Sequence, residues 1–159
     1  GYVSSYLCSL KQGDTVQVSN PYGWFTPGLH PKSIFVATGT GVAPFLSSLR
    51  GKLAPPIAFY IGMKHYADIE QYSEFIKNKC DLTTICASQD SDKHHPNILE
   101  GRIDEPFKED FEAASDQKDC HYYLCGLDAM IEDISFYLLG KDVPAENIHH
   151  ECFFNSDER

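Results

Sequence analysis

Four short apolar runs, separated by segments with helical spacing, limit this chain to one class of fold. Each run is nearly continuous in apolar character: SIFVAT (33–38), PIAFYIG (56–62), LTTICAS (82–88) and HYYLCG (121–126). Continuous rather than alternating runs are typical of strands buried on both faces of a parallel sheet. The last apolar run, NIHHECFF (147–154), is a candidate fifth strand.

The segments between these runs repeat apolar residues at intervals of three and four. This spacing predicts a helix after the first run, a second over 67–79, and a third that follows Gly126 and ends at Gly140. Alternating strands and helices form right-handed βαβ units. We therefore predict an α/β fold with a doubly wound, mainly parallel, five-stranded sheet and helices on both faces.

The first thirty residues have a different pattern. GYVSSYLCSL predicts a short amphipathic helix with Ser4 or Ser5 as its cap, and DTVQVS (14–19) alternates like a half-exposed antiparallel strand. The turn-rich stretch NPYGWFTPGLHPK then leads into the α/β region. We place the boundary near residues 26–32.

Composition excludes several classes of partner. The 159 residues are 42% hydrophobic, enough for one packed domain, and the formal net charge is -10. A charge of this sign repels nucleic-acid backbones and anionic membranes, so we expect neither as a partner. The acidic residues crowded between 100 and 119 are interpreted as a solvated helix face.

Cysteine and histidine spacing gives no metal signature. The six cysteines contain no C-x-x-C pair, and the histidine pairs at 94–95 and 149–150 are adjacent rather than four residues apart. We expect a reduced, intracellular, soluble protein, cytoplasmic or organellar, with no metal site. No secretory signal or stretch long enough for membrane insertion is visible in the sequence.

The loop after the first run is the first candidate site. In TGTGVAP, Gly39 and Gly41 allow a sharp turn and a close backbone approach, but Pro44 stands where G-x-G-x-x-G has its third glycine. Alone, the loop fits either a phosphate-holding turn or a plain strand–helix turn. Cys125 and Glu151 also lie at strand ends. Taken alone, Cys125 is ordinarily interpreted as a core residue and Glu151 as a surface acid.

Six segments, taken in order, resemble the ferredoxin-NADP reductase superfamily of FAD-dependent, NAD(P)H-oxidising modules. They are GYVSSYL (flavin G-x-x-S motif), LKQGDTVQVSNPYGWF (end of the flavin barrel), TGTGVAPF (nucleotide loop), GMKHYADIEQYSEF, YYLCGLDAMI (C-G-x-x-x-M) and HHECFF (tail). The resemblance implies that one loop lines the NAD(P)H pyrophosphate, formed by Thr38, Gly39, Thr40, Gly41 and Pro44.

The resemblance also implies where hydride transfer takes place. Cys125 and Gly126 are expected beside the nicotinamide, and Met130 of the same motif is expected among the cofactor-binding residues. Glu151 matches the tail acid associated with hydride transfer, and Phe153 matches the aromatic position that covers the flavin face. The implied enzyme is a FAD-dependent NAD(P)H oxidoreductase that passes hydride to FAD and then single electrons to another centre.

The resemblance implies that coenzyme choice depends on the residues after the third run, where NADP-using relatives commonly have an arginine that pairs with the 2′-phosphate. Ser88 and Gln89 are expected near the adenosine end of the coenzyme, and the following Asp90 would repel a 2′-phosphate and so favours NADH. Three basic residues leave NADPH open: Lys64, Lys93 and Arg102.

The resemblance divides the chain into residues 1–30, the C-terminal part of an antiparallel FAD-binding barrel, and residues 31–159, an NAD(P)H-binding domain. Ser4 matches a contact to the FAD pyrophosphate. Because the preceding barrel segment is not in the sequence, we expect an incomplete FAD pocket, a missing FAD-binding partner segment and an unknown electron acceptor. The alternative is a non-catalytic nucleotide-binding or interaction domain that has lost flavin chemistry.

Overall fold

The computed structural model describes residues 2–20, 23–90, 98–114 and 117–154. Within them the elements follow in the order α1 (Tyr2–Ser9), β1 (Ser33–Thr38), α2 (Ala43–Arg50), β2 (Ala58–Met63), α3 (Glu70–Lys77), β3 (Thr83–Ala87), β4 (Leu99–Glu100), α4 (Asp104–Ala113), β5 (His121–Leu127), α5 (Asp128–Gly140) and β6 (Ile148–Phe154). Short 3-10 turns precede α2, α3 and β6.

The strands form one sheet in the order β4-β3-β2-β1-β5-β6, and every neighbouring pair is parallel. The predicted α/β class is confirmed, and each of the five strands predicted for the parallel sheet lies within two residues of an observed one. The sheet has one strand more than the five predicted. The extra strand, β4, has only two residues, and both are exposed. The sequence therefore contains no apolar run that would predict this strand.

Two apolar layers enclose the sheet. Phe35 and Ala37 of β1 face the layer that contains α2 and α3, whereas Ile34 and Val36 face α4 and α5. All four of these β1 side chains are at most 1% exposed, because alternate residues of a central strand point to opposite faces that are both covered. The continuous apolar runs of the sequence follow from this double burial.

The N-terminal segment differs from the prediction in two ways. α1 begins at Tyr2, so Ser4 and Ser5 lie inside the helix and neither caps it. Residues 14–19 form no strand in the described part of the chain, and their side chains are exposed. Alternation alone cannot make a strand, because a strand also needs a neighbour to pair its backbone groups.

The structure also bears on two expectations from composition. Within the described ranges, no helix has both the length and the apolar character needed to span a membrane. In α4, Phe107 and Phe111 are buried while Glu105, Glu109 and Asp110 are exposed, so this acidic stretch is a solvated helix face.

Candidate functional site

The crevice at the carboxyl ends of β1 and β5 is the place where strand order reverses. From β1 the chain continues to β2 on one side, whereas β5, which comes much later in sequence, pairs with β1 on the other side. Ligands of doubly wound sheets bind at such a reversal because the loops diverge there. The two loops at this crevice are residues 38–44 and 125–128.

The two loops approach each other so closely that side chains are excluded between them. A Cβ on Gly41 would lie only 2.5 Å from the carbonyl carbon of Cys125 and 2.6 Å from Cα of Gly126. Gly126 has φ +136°, and a Cβ there would lie 2.5 Å from the carbonyl oxygen of Thr38. Glycine at 41 and 126 therefore serves the packing of backbone against backbone.

A hydrogen bond joins the same two loops. The backbone N–H of Leu127 donates to Oγ1 of Thr38 at 2.9 Å, across 89 residues of sequence. Thr38 thus fixes the start of the β5–α5 turn to the end of β1. The result is a rigid floor for the crevice.

Above this floor the loop is open. Gly39 adopts φ +55°, and a Cβ built on it would meet no atom within 4 Å. Gly39 and Thr40 are both exposed at the start of a 3-10 turn that runs directly into α2. The exposed backbone and the positive end of the helix favour an anionic group such as a phosphate.

Pro44 occupies the second position of α2. A proline is tolerated in the first turn of a helix because the N–H it lacks would have no partner within the helix. Pro44 therefore does not disrupt this loop, although it breaks the G-x-G-x-x-G pattern. Close helix packing, which the third glycine of that pattern serves, is provided here by Gly41.

Cys125 lies beneath the crevice rather than at its surface. Its exposed fraction is 0%, and burial, followed by the neighbouring Glu151 and Cys152, raises the pKa of its thiol to about 12. The side chain is therefore a neutral thiol at physiological pH. For the Cys125 thiol to contact a nicotinamide, the atoms that cover the thiol would have to shift.

The tail strand brings the predicted acid beside this cysteine. β6 pairs with β5 so that Glu151 is the register partner of Cys125, and Glu151 is exposed at the rim. Phe153 is 41% exposed on the same strand. Met130, in contrast, is 3% exposed in the core on the α5 side, so the structure places it away from any ligand surface.

The residues after β3 are held against the loop after β2. The backbone N–H groups of Ser88 and Gln89 donate to the carbonyls of Met63 and Lys64 at 3.0 and 2.9 Å. Asp90 accepts hydrogen bonds through both carboxylate oxygens, and its donors are the backbone N–H of Tyr66 at 2.5 Å and Nδ1 of His65 at 2.9 Å. The sequence did not predict this second role of Asp90.

The three basic residues considered for a 2′-phosphate differ in their surroundings. Arg102 forms ion pairs with Asp104 at 2.8 Å and Asp133 at 3.2 Å, and its hydrogen bond to Asp104 raises the pKa of the guanidinium. Lys64 is exposed, and Lys93 lies outside the described residues. Two acids therefore share the Arg102 guanidinium, which weakens it as a phosphate partner.

Ser4 lies on α1, a helix with no buried residue. Ser4 is exposed, and its assignment as a FAD contact stays a prediction. The same holds for the ligand roles assigned from the sequence to the residues of the crevice.

The fold, the strand-order reversal and the glycine-rich loop define a nucleotide-binding α/β domain. The family model of the oxidoreductase NAD-binding domain matches residues 35–135, which is more than half of the chain. The chain belongs to this family, the NAD(P)H-binding module of the ferredoxin-NADP reductase superfamily, as the sequence motifs predicted.

Curated relatives agree with this assignment. The chain is 29% identical to ferredoxin-NADP reductase B of Sorangium cellulosum over 169 residues, covering 96% of this chain and 68% of that protein. It is 26% identical to one subunit of the Na(+)-translocating NADH-quinone reductase of Klebsiella pneumoniae over 162 residues, covering 93% of this chain but 39% of the relative. The chain therefore spans about two fifths of the length of this quinone-reductase relative.

Solved structures share the fold. The flavohem-like FAD/NAD-binding domain of nitric oxide dioxygenase from Vibrio cholerae superposes with a TM-score of 0.75 at 18% identity, covering 96% of this chain and 64% of that one. Ferredoxin-NADP+ reductase from Plasmodium falciparum with 2′P-AMP gives 0.64 at 19% identity, covering 96% and 66%.

Proposed function

We propose that this chain binds NADH in the β1–β5 crevice and directs its hydride to FAD, for onward electron transfer to a separate acceptor. The observation that carries the proposal is the exposed loop at Gly39 and Thr40, held by Gly41 and Thr38 against the end of β5. An open loop on a rigid floor at the strand-order reversal suits a dinucleotide pyrophosphate.

In this proposal the chain contributes binding and position. The loop 38–44 holds the pyrophosphate. The Cys125–Gly126 turn sets how far the nicotinamide enters the crevice, and the Glu151 carboxylate lies at the rim of the crevice next to the nicotinamide. FAD, when bound, supplies the hydride acceptor and the change from two-electron to one-electron transfer. These residues affect the rate of hydride transfer by aligning the reacting atoms.

The FAD itself requires a partner segment. None of the α1 residues is buried, and three large apolar side chains near the N-terminus, Tyr2, Val18 and Trp24, are 88%, 86% and 97% exposed. Large apolar side chains crowded into one exposed segment are typical of a surface that another body covers. We propose that a FAD-binding part covers this segment and completes the pocket to which Ser4 contributes.

One observation favours the alternative of a non-catalytic nucleotide-binding domain. The thiol of Cys125 is fully buried, as an ordinary core residue would be. Under this alternative, NADH binds but the Cys125 side chain has no effect on flavin reduction. The two functions therefore differ in kinetics rather than in binding.

Nucleotide binding is tested with Gly39→Val. The branched side chain would enter the open space above the loop, so we expect NADH affinity, measured by isothermal titration calorimetry, to fall about tenfold or more. Gly13→Val is the matched control, because Gly13 also has a positive φ, +102°, and no atom within 4 Å of a built Cβ. Equal NADH affinity in both variants, each folded by circular dichroism, would refute the proposed site.

Coenzyme preference is tested with Asp90→Asn. Wild type is expected to bind NADH more tightly than NADPH, because the Asp90 carboxylate repels a 2′-phosphate. The asparagine keeps an oxygen for the Tyr66 N–H but loses the charge, so the NADPH-to-NADH affinity ratio should rise five- to tenfold, as removal of about 1 kcal/mol of repulsion predicts.

Asp81→Asn is the control for this change. Asp81 is an exposed acid just before β3, at the opposite end of the strand from Asp90. An equal shift of the affinity ratio in both variants would show that net charge, and not the position of Asp90, sets coenzyme preference.

A further inference from the structure

Three histidines meet at the amino ends of β5 and β6, away from the crevice. His121 is the first residue of β5, His149 is the second of β6, and His30 lies in the segment that enters β1. All three are partly exposed, and one ring nitrogen from each lies within 4.8 Å of the other two. No local spacing of histidines points to this cluster, because its members lie 28 and 91 residues apart along the chain.

The backbone around this histidine cluster is firmly held. Oγ of Ser33 donates a hydrogen bond to the His30 carbonyl at 2.5 Å. The N–H of His121 donates to the carbonyl of Lys32 at 2.8 Å. The three Cα positions are thus fixed, and only the imidazole rings need to turn to change the geometry of the cluster.

The rings form a stack. His30 and His121 are 3.5 Å apart between ring centroids and inclined by 6°, and the ring of Tyr123 lies 4.6 Å from that of His149. Nδ1 of His121 and Nε2 of His149 share a hydrogen bond of 3.0 Å. A neutral imidazole ring can donate a nitrogen lone pair to a metal ion.

We propose that His30, His121 and His149 form a binding site for a divalent transition-metal ion of the Zn²⁺ type. Zinc binds imidazole nitrogen at about 2.0–2.1 Å in a tetrahedral arrangement, which sets two ligand nitrogens about 3.3 Å apart. The 3.0 Å separation of the His121 and His149 nitrogens is close to that value. The net charge of -10 adds a general attraction for cations.

Metal binding requires a specific rearrangement. Parallel rings direct their lone pairs along parallel planes, so the imidazoles must rotate about their Cβ–Cγ bonds until the lone pairs converge. The ion replaces the hydrogen bond between His121 and His149, and a water molecule takes the fourth position. The bound ion then joins the segment before β1 to the edge strand β6.

This site is separate from the proposed nucleotide crevice. Cys125 is four residues from His121 along the same strand, about 13 Å at the usual rise of 3.3 Å per residue. The histidine cluster also lies at the amino end of the sheet, whereas the crevice lies at the carboxyl end. The result of a metal-binding experiment therefore does not depend on whether the chain binds NADH.

The test is Zn²⁺ titration of the tag-free 159-residue chain by calorimetry, with Co²⁺ absorption to report coordination geometry. We expect one equivalent to bind, with an affinity loss of at least tenfold in each of His30→Ala, His121→Ala and His149→Ala, since even outer partners of a metal site contribute about 10- to 100-fold. His30→Ala changes no strand residue, so circular dichroism should show an intact fold.

His150→Ala is the matched control, because His150 is adjacent to His149 but points to the other face of β6. A double change of His94 and His95 to alanine controls for binding by that adjacent pair. Unchanged Zn²⁺ affinity in the three cluster variants, loss of binding only in the double variant, or wild-type binding weaker than about millimolar would each overturn the proposal.

Discussion

Gly41→Ala is expected to lower the free energy of unfolding by about 3 kcal/mol or more, at the upper end of what overpacking costs. The added Cβ would lie 2.5 Å from the carbonyl carbon of Cys125 and 2.6 Å from Cα of Gly126. These are backbone atoms of the central sheet, and they cannot swing away as a side chain would. The 3-10 turn that carries Gly41 must move away from β5, and this shift disturbs the close packing of the turn and of α2, which follows it.

Gly39→Ala is the control for this prediction. The site is open, so the cost is mainly that of a left-handed backbone at φ +55°, about 1 kcal/mol. Denaturant unfolding followed by circular dichroism measures both variants. Equal stability losses would contradict the packing described for Gly41. A Gly41→Val change cannot serve as a pure test of nucleotide binding, because it also disturbs the fold.

Cys125→Ala is expected to slow flavin reduction by NADH about tenfold or more when the chain is joined to the FAD-binding part that completes its pocket, since misplaced reacting atoms lose rate steeply. Removing the sulfur leaves a space under the Cys125–Gly126 turn, so under the proposed function a nicotinamide bound there would no longer be held at one depth in the crevice. Stopped-flow absorbance of the flavin measures the step directly.

Cys86→Ala separates this effect from stability. Cys86 is also 0% exposed on a strand, but it lies on β3 in the other apolar layer. Both variants should lose about 1 kcal/mol of stability, and only Cys125→Ala should lose rate. Equal flavin reduction in the two variants would favour the non-catalytic alternative.

The pH dependence of stability follows from the burial of the Cys125 and Cys86 thiols. Burial raises the pKa of Cys125 to about 12 and that of Cys86 to about 11, from 9.0 in the absence of the fold. Because the folded values are higher, the stabilisation from the neutral thiols is complete below pH 9 and is lost as pH rises toward 12. Flavin reduction should show no ionisation of Cys125 at neutral pH.

The strands of the sheet could be predicted from the sequence because a strand that is buried on both faces is a continuous run of apolar residues. The run SIFVAT matches the bounds of β1, Ser33–Thr38. The same logic fails for β4, which is too short and too exposed to leave an apolar run. It also fails for residues 14–19, whose alternation is real but which have no neighbouring strand in the described structure.

The candidate site was only partly predictable. Position along the chain placed Gly39, Gly41 and Gly126 at strand ends, but it could not show that Gly41 packs on Cys125 while Gly39 faces open space. The hydrogen bonds of Asp90 and the histidine cluster were missed for the same reason. Both arise between residues far apart in sequence, and no local pattern encodes them.

The Thr38–Leu127 hydrogen bond has a consequence for folding order. It closes a span of 89 residues, and the floor of the crevice exists only after β5 has inserted beside β1. Contacts between such distant residues form late, because closing a long loop costs entropy before any contact offsets it. Binding at the crevice should therefore appear last during refolding, together with protection of the Leu127 amide from hydrogen exchange.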